Sequence, residues 1–296
     1  MSAAPPQLFD RALWLARRAR RGLPRPGADF LHAAAAESAA DRLALVPRSF
    51  RRAALVWPGA PVWEARLREI PAIESLEVVP PDSDEIVRLD PESVDLAVLG
   101  GTLHWANDPV GALIQLRRAL VPDGLMLAFG AGGETLHELR AALAEAEIAE
   151  EGGLSPRVSP MAELRAAGAL LQRAGFALPV ADAERQEVHY ADALALMRDL
   201  RAMGEANALR DRRRAPLRRA TLARAAAIYA KRFPAPGGRV RATFETLVLT
   251  GWSPGPDQPR AKRPGSATAR LADALGTVEH PAGEPAGLPP GDRGAT

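Results

Sequence analysis

The sequence predicts an α/β protein: a mainly parallel sheet with helices on both faces. Three observations carry that reading. From residue 53 onward, short apolar runs alternate with helix-patterned stretches, the order that folds into strand–helix–strand units. The runs are apolar throughout rather than alternating, as strands covered on both faces require. Each run stops at Pro, Gly or Asp, the residues that turn a chain. With 296 residues, 47% hydrophobic and 25% charged, the chain can bury a sizeable core, and a disordered or fibrous chain is excluded.

Residues 1–48 read as a helical extension. Leu8 to Arg21 is one helix, stopped by Pro24 and Pro26. Asp29 is placed to cap the next, with Leu31, Leu43 and Leu45 as its apolar members. Ala53 to Trp57 is a buried strand ending at Pro58-Gly59. Pro61 to Ile70 is a helix with Trp63, Leu67 and Ile70 on one face. Ser75 to Val79 is a second strand, and Ile86 to Leu89 a candidate third. Val94 to Leu99 is the clearest strand, bounded by Asp90-Pro91 and Gly100-Gly101. Asp108 caps a helix to Leu120, Pro122-Asp123-Gly124 turns, and Leu125 to Phe129 is a strand. Residues 131–175 and 191–240 read as largely helical insertions, with strand pieces at Phe176–Val180 and Gln186–Tyr190. Thr243 to Gly251 is the last strand, closing a domain that spans 49–252. Residues 253–296 form a Pro/Gly-rich tail, expected to be mostly disordered.

There are no cysteines, which excludes disulfides, zinc–cysteine sites, Fe–S ligation and a thiol nucleophile. Lysine occurs only at Lys231 and Lys262, so the basic charge is almost all arginine, and a fifth of the chain is alanine; GC-rich coding explains that bias better than function does. Net charge is only +2, which leaves no nucleic-acid footprint. No apolar run approaches the roughly 18 residues of a membrane span, and no apolar segment follows the start. Arg11 to Arg25 is Arg-rich in the manner of a transit peptide, but Asp10 and Asp29 interrupt the charge, and a surface helix is expected. The default expectation is a cytoplasmic protein.

Several strings carry a family resemblance. Leu103-His104-Trp105-Ala106-Asn107-Asp108-Pro109, then a helix and Leu120-Val121-Pro122-Asp123-Gly124, resembles the centre of class I S-adenosylmethionine (SAM) dependent methyltransferases. The branch containing malonyl-carrier-protein methyltransferases and the mitochondrial complex I assembly factor of methyltransferase fold is the most similar. Strings around Gly132–Arg140, Glu151–Pro160, Leu170–Phe176, Asp199–Asn207, Ala242–Glu245 and Gly251-Trp252 resemble the assembly factor in particular, as does Leu8-Phe9-Asp10-Arg11. The resemblance spans roughly residues 8 to 273. It implies a seven-stranded Rossmann-like sheet whose last strand inserts antiparallel between two others. It also implies SAM as cofactor and a protein substrate or partner, in the eukaryotic case a respiratory complex I subunit bearing a target arginine.

The resemblance places the cofactor residues at Gly59, Asp84, Glu85, Gly100, Gly101 and His104, and the substrate side at Trp105, Glu134 and Arg140. The glycine-rich turn departs from the family pattern. Leu55 stands where the family carries an acid, Trp57 and Pro61 where it carries glycines, and only Gly59 matches. Val78, Val79 and Pro80 stand where an acid would meet the ribose; Asp82 substitutes only if the loop shifts. Two readings follow: a SAM-dependent enzyme with an altered loop, or a catalytically inactive methyltransferase-fold assembly factor.

The remaining residues are less pointed. Glu134 is suited either to a cationic substrate or to capping a helix near Thr135. Arg140, Arg157 and Arg173 suit either an acidic partner or solvated, locally paired roles. The basic run Asp211 to Arg219 has no interleaved aromatics and reads as a solvated helix start. His32, His189 and His280 are scattered; no metal spacing and no GxSxG elbow occurs. No residue is assigned as catalytic, since positioning alone can drive methyl transfer.

Overall fold

The computed structural model describes residues 7–20, 27–258, 266 and 269–278. These fall into two compact units, one ending at Pro256 and one beginning at Asp257. The first holds strands β1 (Ala53–Val56), β2 (Leu76–Val79), β3 (Val94–Leu99), β4 (Leu120–Ala131), β5 (Ala177–Tyr190), β6 (Pro234–Ala235) and β7 (Arg239–Trp252). Its helices are α1 (Arg11–Arg20), α2 (Phe30–Ala44), α3 (Val62–Arg68), α4 (Pro109–Ala119), α5 (His137–Glu151), α6 (Leu164–Ala174), α7 (Ala193–Met203) and α8 (Arg219–Arg232). The second unit contributes one short helix, α9 (Leu271–Leu275). The rest of the expected tail disorder lies largely outside the described residues.

The sheet runs β2-β1-β3-β4-β7-β5, with β6 paired to β7. The first four strands are parallel, in a register that sets Val56 beside Val79 and Leu99, and Leu99 beside Ala128. Their carboxyl ends therefore share one rim, where sheets of this kind bind ligands. β7 lies antiparallel between β4 and β5, as the resemblance implies. β1 and β3 are almost wholly buried because helices cover both faces. Ala36, Leu43, Trp63, Leu67 and Phe129 pack on one face; Val56, Leu99, Leu113, Leu116 and Leu171 pack on the other. A third cluster joins α5, α7 and α8 to β7 through Leu139, Leu196, Tyr229 and Phe244.

Several expectations are corrected. Ile86 to Leu89 forms no strand. Glu85 takes a left-handed conformation (φ 58), the Val87 N–H donates to the Gln115 side chain at 2.9 Å, and Ile86 is exposed, so no strand edge is free to pair. The seventh strand is instead Pro234–Ala235. Asp29 gives no side-chain cap to α2, and Leu45 is exposed beyond its end. Pro122 to Gly124 does not separate two elements. It is a bulge inside β4, with Asp123 at φ 62 and the pairing skipping from Leu120 to Leu125. Phe176–Val180 and Gln186–Tyr190 are joined as one edge strand, held along its length by β7. Residues 211–218 are irregular rather than a helix start, and α8 begins at Arg219. The Arg-rich N-terminal helix is not merely a surface element: Arg11 and Trp14 are buried.

Candidate functional site

The rim above β1 and β2 is built by α1 and the turn after β1. Trp57 follows the strand in a left-handed conformation (φ 48) and is fully buried. Its N–H donates to the Val79 carbonyl at 2.7 Å, and its carbonyl accepts from the Thr102 hydroxyl at 2.7 Å. The Arg11 guanidinium lies 5.3 Å from the Trp57 ring centre and 4.5 Å from that of Trp14. Arg11 also donates to the Asp82 carbonyl at 2.8 Å and pairs with Glu85 at 3.3 Å. Arg18 donates to the carbonyls of Pro58 and Gly59 at 3.0 and 2.8 Å. Phe9, Trp14 and Trp105 complete an aromatic cluster with Ala208 and Leu209.

Gly59 is present for a steric reason. The His32 imidazole lies where a Cβ would stand, 2.0 Å away, and also crowds Gly101. Trp63 Nε1 donates to His32 Nδ1 at 3.2 Å, fixing the ring.

The rim above β3 and β4 is open. A pocket of about 130 Å³ is lined by His32, Gly101, His104, Trp105, Phe129, Gly130, Thr135, Glu205, Asn207 and Glu245, among others. His104 Nδ1 accepts from the Ala131 N–H at 3.1 Å, so its Nε2 carries the proton and donates to Glu205 Oε2 at 3.2 Å. Trp105 Nε1 donates to the same oxygen at 2.9 Å. The other oxygen, Glu205 Oε1, is buried with no hydrogen-bond donor among the described residues. Burial opposes ionisation of Glu205, but His104, its hydrogen bond, His32 and Arg18 outweigh that and hold its pKa at about 2. Glu245 reaches the same pocket from β7, and a side chain at Gly132 would collide with its carboxylate at 2.3 Å.

The predicted residues thus separate. Gly101, His104 and Trp105 line the pocket. Gly100 lies beneath it, bonding to Val56 and Gly59 across the strand ends. Glu85 is turned away: it accepts from the Asn107 N–H and side chain and the Asp108 N–H, besides pairing with Arg11. Asp84 points outward to Arg88 and the Ile86 N–H. Glu134 is exposed, with its N–H donated to Glu245. Arg140 ties the Thr135 and Ser159 carbonyls together outside the pocket. Neither Glu134 nor Arg140 lines the pocket, whereas Glu245 does. Glu205, Glu245 and His32 were not singled out. Glu205 and Glu245 fall inside strings that carry the family resemblance, which is the one signal that marked them. His32 gave no signal, since its role depends on α2 meeting Gly59. Among the described residues no group of metal-ligating side chains assembles.

Residues 60–128 match the family model described as "Methyltransferase domain". A zebrafish (Danio rerio) protein named "Arginine-hydroxylase NDUFAF5, mitochondrial" is 39% identical over 190 residues, 64% of this chain and 59% of that protein. Its human namesake is 37% identical over 212 residues, 72% of this chain and 59% of that protein. A Halorhodospira halophila "Malonyl-[acyl-carrier protein] O-methyltransferase" is 38% identical over 170 residues, 57% of this chain and 56% of that protein. The chain thus spans roughly three fifths of the length of the curated relatives it matches. The methyltransferase resemblance read from the sequence holds, in the assembly-factor branch. The cytoplasmic expectation does not: the arginine-hydroxylase relatives are named mitochondrial, which points there instead. The expectation rested on the lack of apolar segments, which bears on membranes and secretion but not on that compartment. Among the described residues no helix is long and apolar enough to cross a membrane.

Proposed function

We propose that this protein is a methyltransferase-fold binding factor of the complex I assembly type, whose pocket takes a cationic side chain, an arginine, from a protein partner. The observation that carries this is Glu205 Oε1, a buried carboxylate oxygen facing a largely apolar pocket without a donor. Leaving such a group unsatisfied costs about 1 to 3 kcal/mol, which a guanidinium fork would recover. Glu245 supplies a second carboxylate, and the pocket is below the roughly 300 Å³ at which sites for drug-sized ligands begin. The names of the arginine-hydroxylase relatives support the same substrate chemistry.

The residues present do not fit SAM. Leu55 offers no acceptor at the end of β1 and lies in the core. His32 stands on Gly59, Trp57 and Arg11 fill the rim beside it, and Glu85 is spent on Asn107, Asp108 and Arg11.

The test is a pair of titrations by calorimetry and thermal shift. A short peptide with one central arginine should stabilise the protein, and Glu205→Gln should abolish the shift. SAM and S-adenosylhomocysteine should give no shift up to millimolar concentration. A ligand at 100 times its Kd would give about 2.7 kcal/mol, well within detection. Saturable SAM binding would overturn the filled-cleft reading in favour of a working enzyme. Equal peptide binding by Glu205→Gln would overturn the pocket assignment.

A further inference from the structure

Beside the pocket, and sharing Arg157 and Asn207 with it, runs a second, wider cleft of about 970 Å³. Its wall includes Arg17, Arg157, Arg201, Arg212, Arg213 and Arg214. These come from four places in the chain: α1, the loop after α5, α7, and the irregular stretch before α8. The stretch 211–214 has no helical structure; Asp211, Arg213 and Arg214 are exposed, and the Arg212 side chain reaches back to Asp10. Four of these six cations are already engaged, Arg17 through the Asn207 carbonyl. Arg157 and Arg213 pair with Glu147, and Arg212 with Asp10 at 3.5 Å. The side chains of Arg201 and Arg214 make no hydrogen bond or ion pair among the described residues. Arg17 is crowded, its charged form disfavoured first by burial and then by Arg212 and Arg20.

Bringing like charges together is unfavourable unless an anion answers them. The arginine fork matches a carboxylate in two-point geometry, and three of these arginines already hold carboxylates of this chain. Among the described residues no aromatic side chain lines the cleft, so they offer no platform on which bases would stack. We propose that this cleft is a docking site for an acidic segment, rich in aspartate or glutamate, of a protein partner. It adjoins the smaller pocket, and the inference does not depend on what enters that pocket.

The test uses fluorescein-labelled decaglutamate and the intact protein, read by anisotropy. Binding should be saturable and should weaken as salt rises from about 50 to about 200 mM, since partly exposed charges are screened. The double variant Arg201→Ser/Arg214→Ser removes two cations that hold nothing else, so its melting temperature should not move. Its affinity should fall roughly three- to tenfold, the worth of two such pairs. No binding by the wild type would overturn the proposal, as would undiminished binding by the double variant. Tighter binding of single-stranded oligouridylate than of decaglutamate would also overturn it, replacing the acidic segment by a phosphate backbone.

Discussion

Over β1 and β2 the strand ends are covered by the protein's own side chains: Trp57, Arg11 and Trp14, with His32 on Gly59. Over β3 and β4 they stay open, and His104 and Glu205 face a cavity. The same parallel register builds both rims, so backbone topology does not explain the contrast. Side-chain volume does. An indole follows β1, whereas Gly100 and Gly101 follow β3, the latter at φ 82, and Gly130 lies near the end of β4 beside Leu103 and His104. Two parts of one rim can differ in this way when they are built by different loops.

Trp57 gives the sharpest way to break that contrast. Trp57→Ala should cost about 3 to 5 kcal/mol in urea unfolding, as for other buried large aromatics. Trp57→Gly should cost about 1 kcal/mol less than Trp57→Ala, because a left-handed backbone penalises any Cβ. Equal costs would mean that the rim, not the local backbone, sets this conformation.

Arg11 comes next. Its pair with Glu85 is nearly enclosed, with side chains 4% and 13% exposed. Arg11→Met should lower stability by about 3 kcal/mol by stranding the Glu85 charge. The double variant Arg11→Met/Glu85→Gln should be less unstable than the two single changes added, by about 1 to 3 kcal/mol. Strict additivity would show that α1 is held by its aromatics alone.

The open rim predicts a pH signature. Folding depresses the Glu205 carboxyl from 4.5 to about 2. The stability it contributes is therefore complete above pH 4.5 and is lost as pH falls toward 2. The span corresponds to something on the order of 3 kcal/mol. Stability measured by urea unfolding across that range should fall more steeply in the wild type than in Glu205→Gln. Parallel profiles would remove Glu205 as the group responsible.

Much of this was legible beforehand, and what escaped did so for physical reasons. Val94–Leu99 was read to the residue because a buried parallel strand is a continuous apolar run, and Asp108 was read as a cap; its Oδ1 accepts from the Gly111 N–H at 2.8 Å. The departure at Trp57 was visible because glycine is the residue that a close backbone approach demands. His32 and Glu205 were not visible. One lies 27 residues before Gly59 and the other 101 residues after His104, and only tertiary packing brings them to the rim. Ile86–Leu89 misled because apolar alternation cannot show that Gln115 would take the Val87 N–H.

The smallest expected effect separates two neighbours that the sequence treats alike. Asp84 and Glu85 were both placed beside a cofactor. Asp84 is 39% exposed and pairs with Arg88, itself 56% exposed, across solvent. Such pairs contribute about 0 to 1 kcal/mol, so Asp84→Asn should change stability by less than about 0.5 kcal/mol. Glu85 carries the loop after β3 on its carboxylate, through the N–H groups of Asn107 and Asp108. Asn107 in turn accepts the Phe9 N–H at 2.7 Å and so fixes the entry of α1. Glu85→Ala should accordingly cost several times more than Asp84→Asn and should speed protease cleavage within α1. Matching losses at the two positions would mean that the covered rim is held by charge in general rather than by the one carboxylate turned inward.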